Sequence, residues 1–462
     1  MDGNCPLDAT PAIPRLPIEL LHEILKYTAW DPIDDNVNPY NNGILKSLSL
    51  VCQLFRQIAK PLFYHTLKLD VRSSKELYER HLNTLSATLQ NNPSLARICR
   101  SAVLYSRGDL EQTLAVISHL KNVRSLEIHD VFGRVTCVGS SSVYRAAFMN
   151  MPALQSLTLV ENEMRVSFLS TLMAHVDSAP PSLQRLKLCI KHFYDAYQDP
   201  DPDPKYHRSA LFTSLVITGM QASPGPLLRI LEWPKSLTHF EMDSDIPISQ
   251  FPPIRISPLA SLLSRRKETL KSIKFGYILD GYDCDTTGIH IADTSSFPVL
   301  ETLTYSGWRP HQYPCGRLIF SPAHADKMFS PALHTLRLDF TCNGSEEWFK
   351  INEPEEHWIR SLLQEAVKRN ATLRRIQITF KPIDPGTTHS ATNVPRRVMV
   401  GDVYPWDRLD RLRREFQPYN LAVEYNEPSF SKKKWVEAIE QVRDCYCLSC
   451  DQGGNFGPGM QR

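Results

Sequence analysis

Residues 154–164 read LQSLTLVENEM, in which Leu154, Leu157 and Leu159 follow the spacing apolar-x-x-apolar-x-apolar. Leucines two apart share one side of an extended chain, the mark of a short strand with one buried face. What decides the fold is that the spacing recurs. Val123–Leu126–Ile128, Leu183–Leu186–Leu188, Phe212–Leu215–Ile217 and Leu237–Phe240–Met242 repeat it. So do Leu270–Ile273–Phe275, Leu300–Leu303–Tyr305, Leu333–Leu336–Leu338 and Leu373–Ile376–Ile378. Successive first positions lie between 25 residues (212 to 237) and 40 residues (333 to 373) apart. A period near thirty marks a stack of supersecondary units, because one such unit cannot bury its apolar face alone.

The repeat resembles the leucine-rich repeat, with Asn162 at the asparagine position and Met164 at the final apolar one. Other copies lose that asparagine, so the array reads as degenerate. Pro152, Pro181, Pro298 and Pro331 mark the turn into their units. Ser167 to Val176 and His357 to Val367 have helical spacing and suit the backs of units, while Cys99 to Leu104 reads as a worn first repeat. Residues 191–208, 306–329 and 381–404 are expected to emerge as loops. Strand alternation turns a second set of side chains outward. Its charged members are Glu127, His129, Arg185, Lys187, His239, Glu241, Asp243, Lys274, Arg337, Asp339 and Arg375, with Thr304 and Thr335 among the hydroxyls. Mixed signs do not suit a phosphate backbone. These residues are therefore candidates for contact with a partner protein, or else a solvated polar face.

Two strongly apolar helical patterns precede the array: LPIELLHEILKY at 16–27 and SLSLVCQLFRQIAKPLFY at 47–64. Pro17 suits the first turn of a helix, and Ile18, Leu20, Leu21, Ile24 and Leu25 follow at helical spacing. Leu48, Val51, Cys52, Phe55, Ile58 and Ala59 read as one face of a second helix that Lys60-Pro61 should stop. Pro61 would then open a third turn, and Thr66 to Leu69 reads as a strand. So much apolar surface on a small hairpin must be covered, by the rest of the chain as a helical cap or by another protein.

The order Leu-Pro-x-Glu-Leu-Leu, helix, loop, Leu-Val-Cys-x-x-Phe-Arg, Pro-Leu-Phe-Tyr resembles an F-box. The connection at 31–43 is longer than the usual one. The resemblance implies docking onto the Skp-type adaptor of a cullin–RING ubiquitin ligase. By the same analogy Leu16, Pro17, Leu20 and Ile24 would face the adaptor, with Leu48, Val51, Cys52 and Phe55 joining that contact or packing the hairpin. The expected fold is thus α/β: a three-helix F-box at 14–69, then an irregular leucine-rich-repeat horseshoe at 70–425. A flexible N-terminus at 1–13 and a C-terminal helix with a flexible tail at 426–462 complete the chain. The expected role is substrate recognition for an SCF-type ligase, or, alternatively, a repeat-based scaffold that binds the adaptor without driving degradation.

Composition agrees with a protein-binding role. Lys plus Arg number 52 against 50 for Asp plus Glu, which argues against a dedicated nucleic-acid or membrane-surface binder. No apolar run reaches the roughly 18 residues a membrane span needs. The first fifteen residues lack the basic and apolar regions of a secretory signal. Eleven scattered cysteines fit reduced thiols in the cytosol or nucleus. HEILK at 22–26 has Lys26 where a zinc-protease helix needs its second histidine, and no phosphate loop or nucleophile elbow is present. Cys445, Cys447 and Cys450 supply three thiols where a closed zinc site wants four ligands. The basic run Lys432–Lys434 is balanced by neighbouring acids. No catalysis, cofactor or metal is expected of this chain.

Overall fold

The computed structural model describes residues 17–29, 42–68, 75–106, 110–130, 138–177, 182–194, 204–219, 224–243, 256–276, 291–306, 320–341, 351, 353–380 and 403–444. Tertiary contacts divide the chain into two units, 1–212 and 213–462. That division falls inside the span read above as one array.

The first unit opens with three helices, α1 (Ile18–Ala29), α2 (Asn42–Ser49) and α3 (Gln53–Phe63). Then come β1 (Thr66–Lys68), α4 (Lys75–Asn91), α5 (Pro93–Ile98), β2 (Ser101–Ser106), α6 (Leu110–His119) and β3 (Ser125–Asp130). It continues through α7 (Val138–Asn150), β4 (Ser156–Arg165), α8 (Val166–Asp177) and β5 (Arg185–Tyr194). Strands β1 to β5 pair in chain order and all parallel. Parallel neighbours need a crossover, and the helices between them supply it. Register aligns the repeats: Leu126, Leu157 and Leu186 stand in one column, and Ile128, Leu159 and Leu188 in the next. All six are buried, and Val116, Ala147 and Leu172 of the helices join them in the core.

The second unit repeats the plan with β6 (Ser214–Thr218), α9 (Pro224–Glu232), β7 (His239–Asp243), α10 (Ile256–Leu263), β8 (Ser272–Phe275) and β9 (Thr302–Ser306). It ends with α11 (Pro322–Met328), β10 (Thr335–Asp339), α12 (Glu353–Lys368), β11 (Arg375–Thr379), α13 (Pro405–Phe416), β12 (Ala422–Tyr425) and α14 (Lys432–Asp444). These strands too pair in chain order and in parallel. Leu215, Phe240, Ile273, Leu303, Leu336 and Ile376 make the buried column here.

Two hydrogen-bond devices recur with the period of the sequence. One carbonyl before each strand accepts from two consecutive N–H groups of the next repeat. Arg100 O takes Arg124 and Ser125, Arg124 O takes Gln155 and Ser156, and Glu301 O takes His334 and Thr335. The second device is a hydroxyl just before the first leucine of a repeat, donated to the equivalent leucine of the preceding repeat. Ser182 reaches Leu154 O at 2.9 Å, Thr269 reaches Leu237 O at 2.8 Å, and Thr372 reaches Leu333 O at 2.9 Å. Each satisfies a backbone acceptor that burial would otherwise strand. With the leucine columns, these ties make the fold leucine-rich-repeat-like.

Several expectations need correction. Leu48 to Ala59 is not one helix: α2 stops at Ser49, Leu50 and Val51 form a turn, and α3 starts after Cys52. The Cys52 thiol accepts from the Phe55 N–H at 3.5 Å as an N-cap, and Arg56 Nε donates to Ser49 O at 3.2 Å across the turn. Nor does Pro61 stop α3, which runs on to Phe63 because Leu62 packs with Leu45 and Ala59. A proline in the last turn loses one hydrogen bond, and that burial offsets the loss. Pro17 stands just before α1, its carbonyl accepting from Leu21 N at 3.1 Å. The span 306–329 contains α11, opened by the Ser321–His324 capping box, and is not simply a loop. Thr304 and Thr335 are buried despite their outward positions. Their short side chains lie between neighbours in register, Lys274 and Arg337 in the first case, Thr302 and Arg375 in the second. Leu16, Cys445, Cys447 and Cys450 lie outside the described residues, as do 1–13, 195–203, 381–402 and the tail from 445.

Candidate protein-docking surfaces

Helices α1, α2 and α3 pack on one another through Leu25, Leu45, Ile58, Ala59 and Leu62, all buried. That leaves much of the apolar surface of these short helices uncovered. Leu20 is 51% exposed, Ile24 49%, Leu50 71% and Val51 64%. On α1 the cause is its sequence, apolar at too many angles for one buried stripe to absorb. Leu25 takes the buried stripe, while Leu20 and Ile24 project beside it. At the turn, Leu50 and Val51 project outward while their N–H groups close it on the carbonyls of Ser47 and Leu48. Of the adaptor-facing candidates, Pro17, Leu20, Ile24, Val51 and Cys52 are therefore exposed, and Leu48 and Phe55 are half-buried. A shallow groove lies to the other side of α1, lined by Ile18, His22, Ile58 and Pro61 with Glu19 and Glu23 at its rim.

The polar side of each unit's ladder is a further candidate surface. In the first unit, His129 Nε2 meets Glu127 Oε1 at 2.5 Å, and Tyr105 stacks on the His129 ring at 4.4 Å between centroids. Arg185 is exposed and Lys187 half-buried on β5. In the second unit, Lys274 Nζ bonds Glu241 Oε1 at 2.6 Å. Burial alone would push the Lys274 ammonium down, but that bond and the charges of Glu241, Asp243 and Asp339 hold it above its ordinary value. Arg375 meets Glu424 at 3.2 Å, and Asp339 accepts from Ser306 and from Thr341 N. His239, Arg337 and Arg375 are exposed, whereas Glu241, Asp243, Lys274 and Asp339 are half-buried.

Tyr105 and Glu424 were not among the sequence candidates. They sit on β2 and β12, where Cys99-x-x-Ala102-x-Leu104 and Asn420-x-x-Val423-x-Tyr425 replace most of the leucines at the inward positions. The alternation Ala102-x-Leu104 and Leu421-x-Val423 was the signal for them. Among the described residues, no three His, Cys, Asp or Glu side chains gather as a metal site would require. No described helix is long and apolar enough to cross a membrane.

No family model matches the chain, and no curated protein matches it in sequence. Among solved structures, it is similar to the leucine-rich repeat-containing protein LegL7 from Legionella pneumophila, at 16% identity and a TM-score of 0.40. The match covers 70% of this chain and 93% of that one. The leucine-rich-repeat character of this chain rests on its own leucine columns and hydroxyl ties.

Proposed function

We propose that this chain is a substrate-recognition subunit of an SCF-type, cullin–RING ubiquitin ligase. In this reading the exposed face of α1 to α3 docks a Skp-type adaptor, and the polar side of the repeats holds a substrate protein. The observation that carries the reading is the exposure of Leu20 and Ile24 on α1 and of Leu50 and Val51 in the α2–α3 turn, while Leu25, Leu45, Ile58 and Leu62 are already buried. Exposed apolar side chains of that size suit an interface. The order Pro17-x-Glu19-Leu20-Leu21 and Leu50-Val51-Cys52 supports the class of partner. The mechanism is tethering: one end is held on the ligase while the other raises the local concentration of a substrate. The chain itself performs no chemical step.

Titration of the full chain with a purified Skp-type adaptor tests this. Leu20→Ala and Ile24→Ala should each weaken binding by about 2 kcal/mol or more, since interface energy concentrates in a few buried anchors. Circular dichroism of both variants should match the wild type. Undiminished adaptor binding by the double variant would remove the assignment.

A further inference from the structure

Arg185 and Lys187 leave β5 on the polar side of the first ladder, about 7 Å apart along the strand. Their partners in register are Ser156 and Thr158 of β4, with Ser125 beyond Ser156 on β3. Neither cation has an ion-pair or hydrogen-bond partner among the described residues. Three other outward cations do: His129 meets Glu127, Lys274 meets Glu241, and Arg375 meets Glu424. Glu127 shares a column with Lys187 but lies two strands away, roughly 10 Å, and is engaged by His129. Arg337, another outward cation with no partner among the described residues, has Asp339 as the next outward residue on its strand, whereas Arg185 has Lys187. Two like charges side by side repel, and partial burial of Lys187 adds a desolvation cost. Such a pair is relieved when an anion arrives.

We infer that the Arg185–Lys187 patch docks an acidic segment of a partner protein, a run of Asp and Glu side chains laid along β5. This rests on the reading of the polar ladder face as the substrate side. The guanidinium of Arg185 suits a carboxylate held by two parallel bonds, and Lys187 supplies a point charge. The hydroxyls of Ser156 and Thr158 add donors between them. Protein fits better than nucleic acid: Glu127 stands in the same column, and the chain carries a net charge of only +2.

The test is fluorescence anisotropy of a fluorescein-labelled oligoglutamate peptide titrated with the full chain. The wild type should bind saturably and more weakly as salt is added. Arg185→Glu/Lys187→Glu should weaken binding roughly tenfold or more with an unchanged thermal melt. Arg97→Glu/Lys121→Glu, which removes two exposed cations away from the polar face, should leave it within about twofold. Three results would overturn the proposal: no saturable binding by the wild type, equal loss in both double variants, or tighter binding of a charge-matched single-stranded oligonucleotide. Adaptor binding, measured on the same preparations, reads the ligase assignment separately. Its absence with peptide binding intact removes that assignment and leaves the patch, and the converse removes the patch alone.

Discussion

Glu356 of α12 accepts a hydrogen bond from Arg408 of α13 at 2.7 Å while only 4% exposed. Arg360 on the same helix and Arg411 on α13 add bonds at 2.7 and 2.9 Å, so one buried carboxylate carries three guanidinium groups. Burial pushes the Glu356 carboxyl up, yet the bonds from Arg408 and Arg360 and the charge of Arg411 outweigh it. The group titrates below its ordinary value of 4.5. Glu356→Gln should therefore destabilise the second unit by about 3 kcal/mol, because it leaves Arg408 buried beside a neutral amide. Arg411→Ala, at the exposed end of the cluster, should cost much less. Denaturant midpoints of the two variants check the order. A lowered carboxylate also contributes stability above its ordinary value that disappears as pH falls through the native value.

Histidines act in a higher pH window. Burial, and then the nearby charges of Arg100, Arg145 and Lys327, hold His65, His175 and His324 below the ordinary 6.5. The unfolded chain takes up protons near 6.5 that the native one resists, so stability should decline as pH drops from about 7 to about 5. His324 is also a capping residue, its Nδ1 accepting the Ser321 N–H at 3.2 Å, a bond that needs that nitrogen unprotonated. His324→Gln keeps an acceptor suited to a capping box and removes the titration. Its melting temperature should fall less steeply over that window than the wild type's, and parallel slopes would exclude this role.

The strand alternation is checked by neighbours of opposite orientation. Leu336 is fully buried and Arg337 beside it is exposed. Leu336→Asp should unfold the repeats on either side, since it places an unpaired charge in a shared core. Arg337→Asp should change stability by no more than about half a kcal/mol. Thermal melts showing equal destabilisation would mean that the register is wrong.

Thiol chemistry separates Cys52 from Cys99. Cys99 is 2% exposed, and burial pushes its thiol up to about 11 despite opposing bonds to the backbone of Leu67 and Ser101. The thiolate is the reactive form, so Cys99 should resist iodoacetamide in the native chain at mildly alkaline pH. Cys52 is exposed and should be labelled first. Peptide mapping by mass spectrometry reads both sites. Under the proposed function, bound adaptor should slow labelling of Cys52 and leave Cys99 unchanged.

The repeat ladder was readable in the sequence because a strand with one buried face writes its own period. Leu157 and Leu159 declare the inward side without reference to any partner, and the same pattern about thirty residues on declares the stack. The inward columns, the outward charged set and the backing helices around Ser167 to Val176 and His357 to Val367 all followed from that local rule. So did the surplus of apolar surface on α1. What depended on contacts outside that pattern did not follow. Whether α3 could run through Pro61 was decided by Leu45, with which Leu62 packs, and whether α2 ended at Ser49 was decided by a thiol and an arginine beyond the turn. The short strand β12 was visible mainly through pairing with β11, because four residues carry too little pattern alone. Outward alternation likewise could not say that Thr304 would be covered by Lys274 and Arg337, or that Lys274 would find Glu241 while Lys187 found no acid among the described residues. A sequence pattern reports which face of an element is apolar. Which charge stands opposite which is set by register between strands some thirty residues apart, and only the folded ladder contains it.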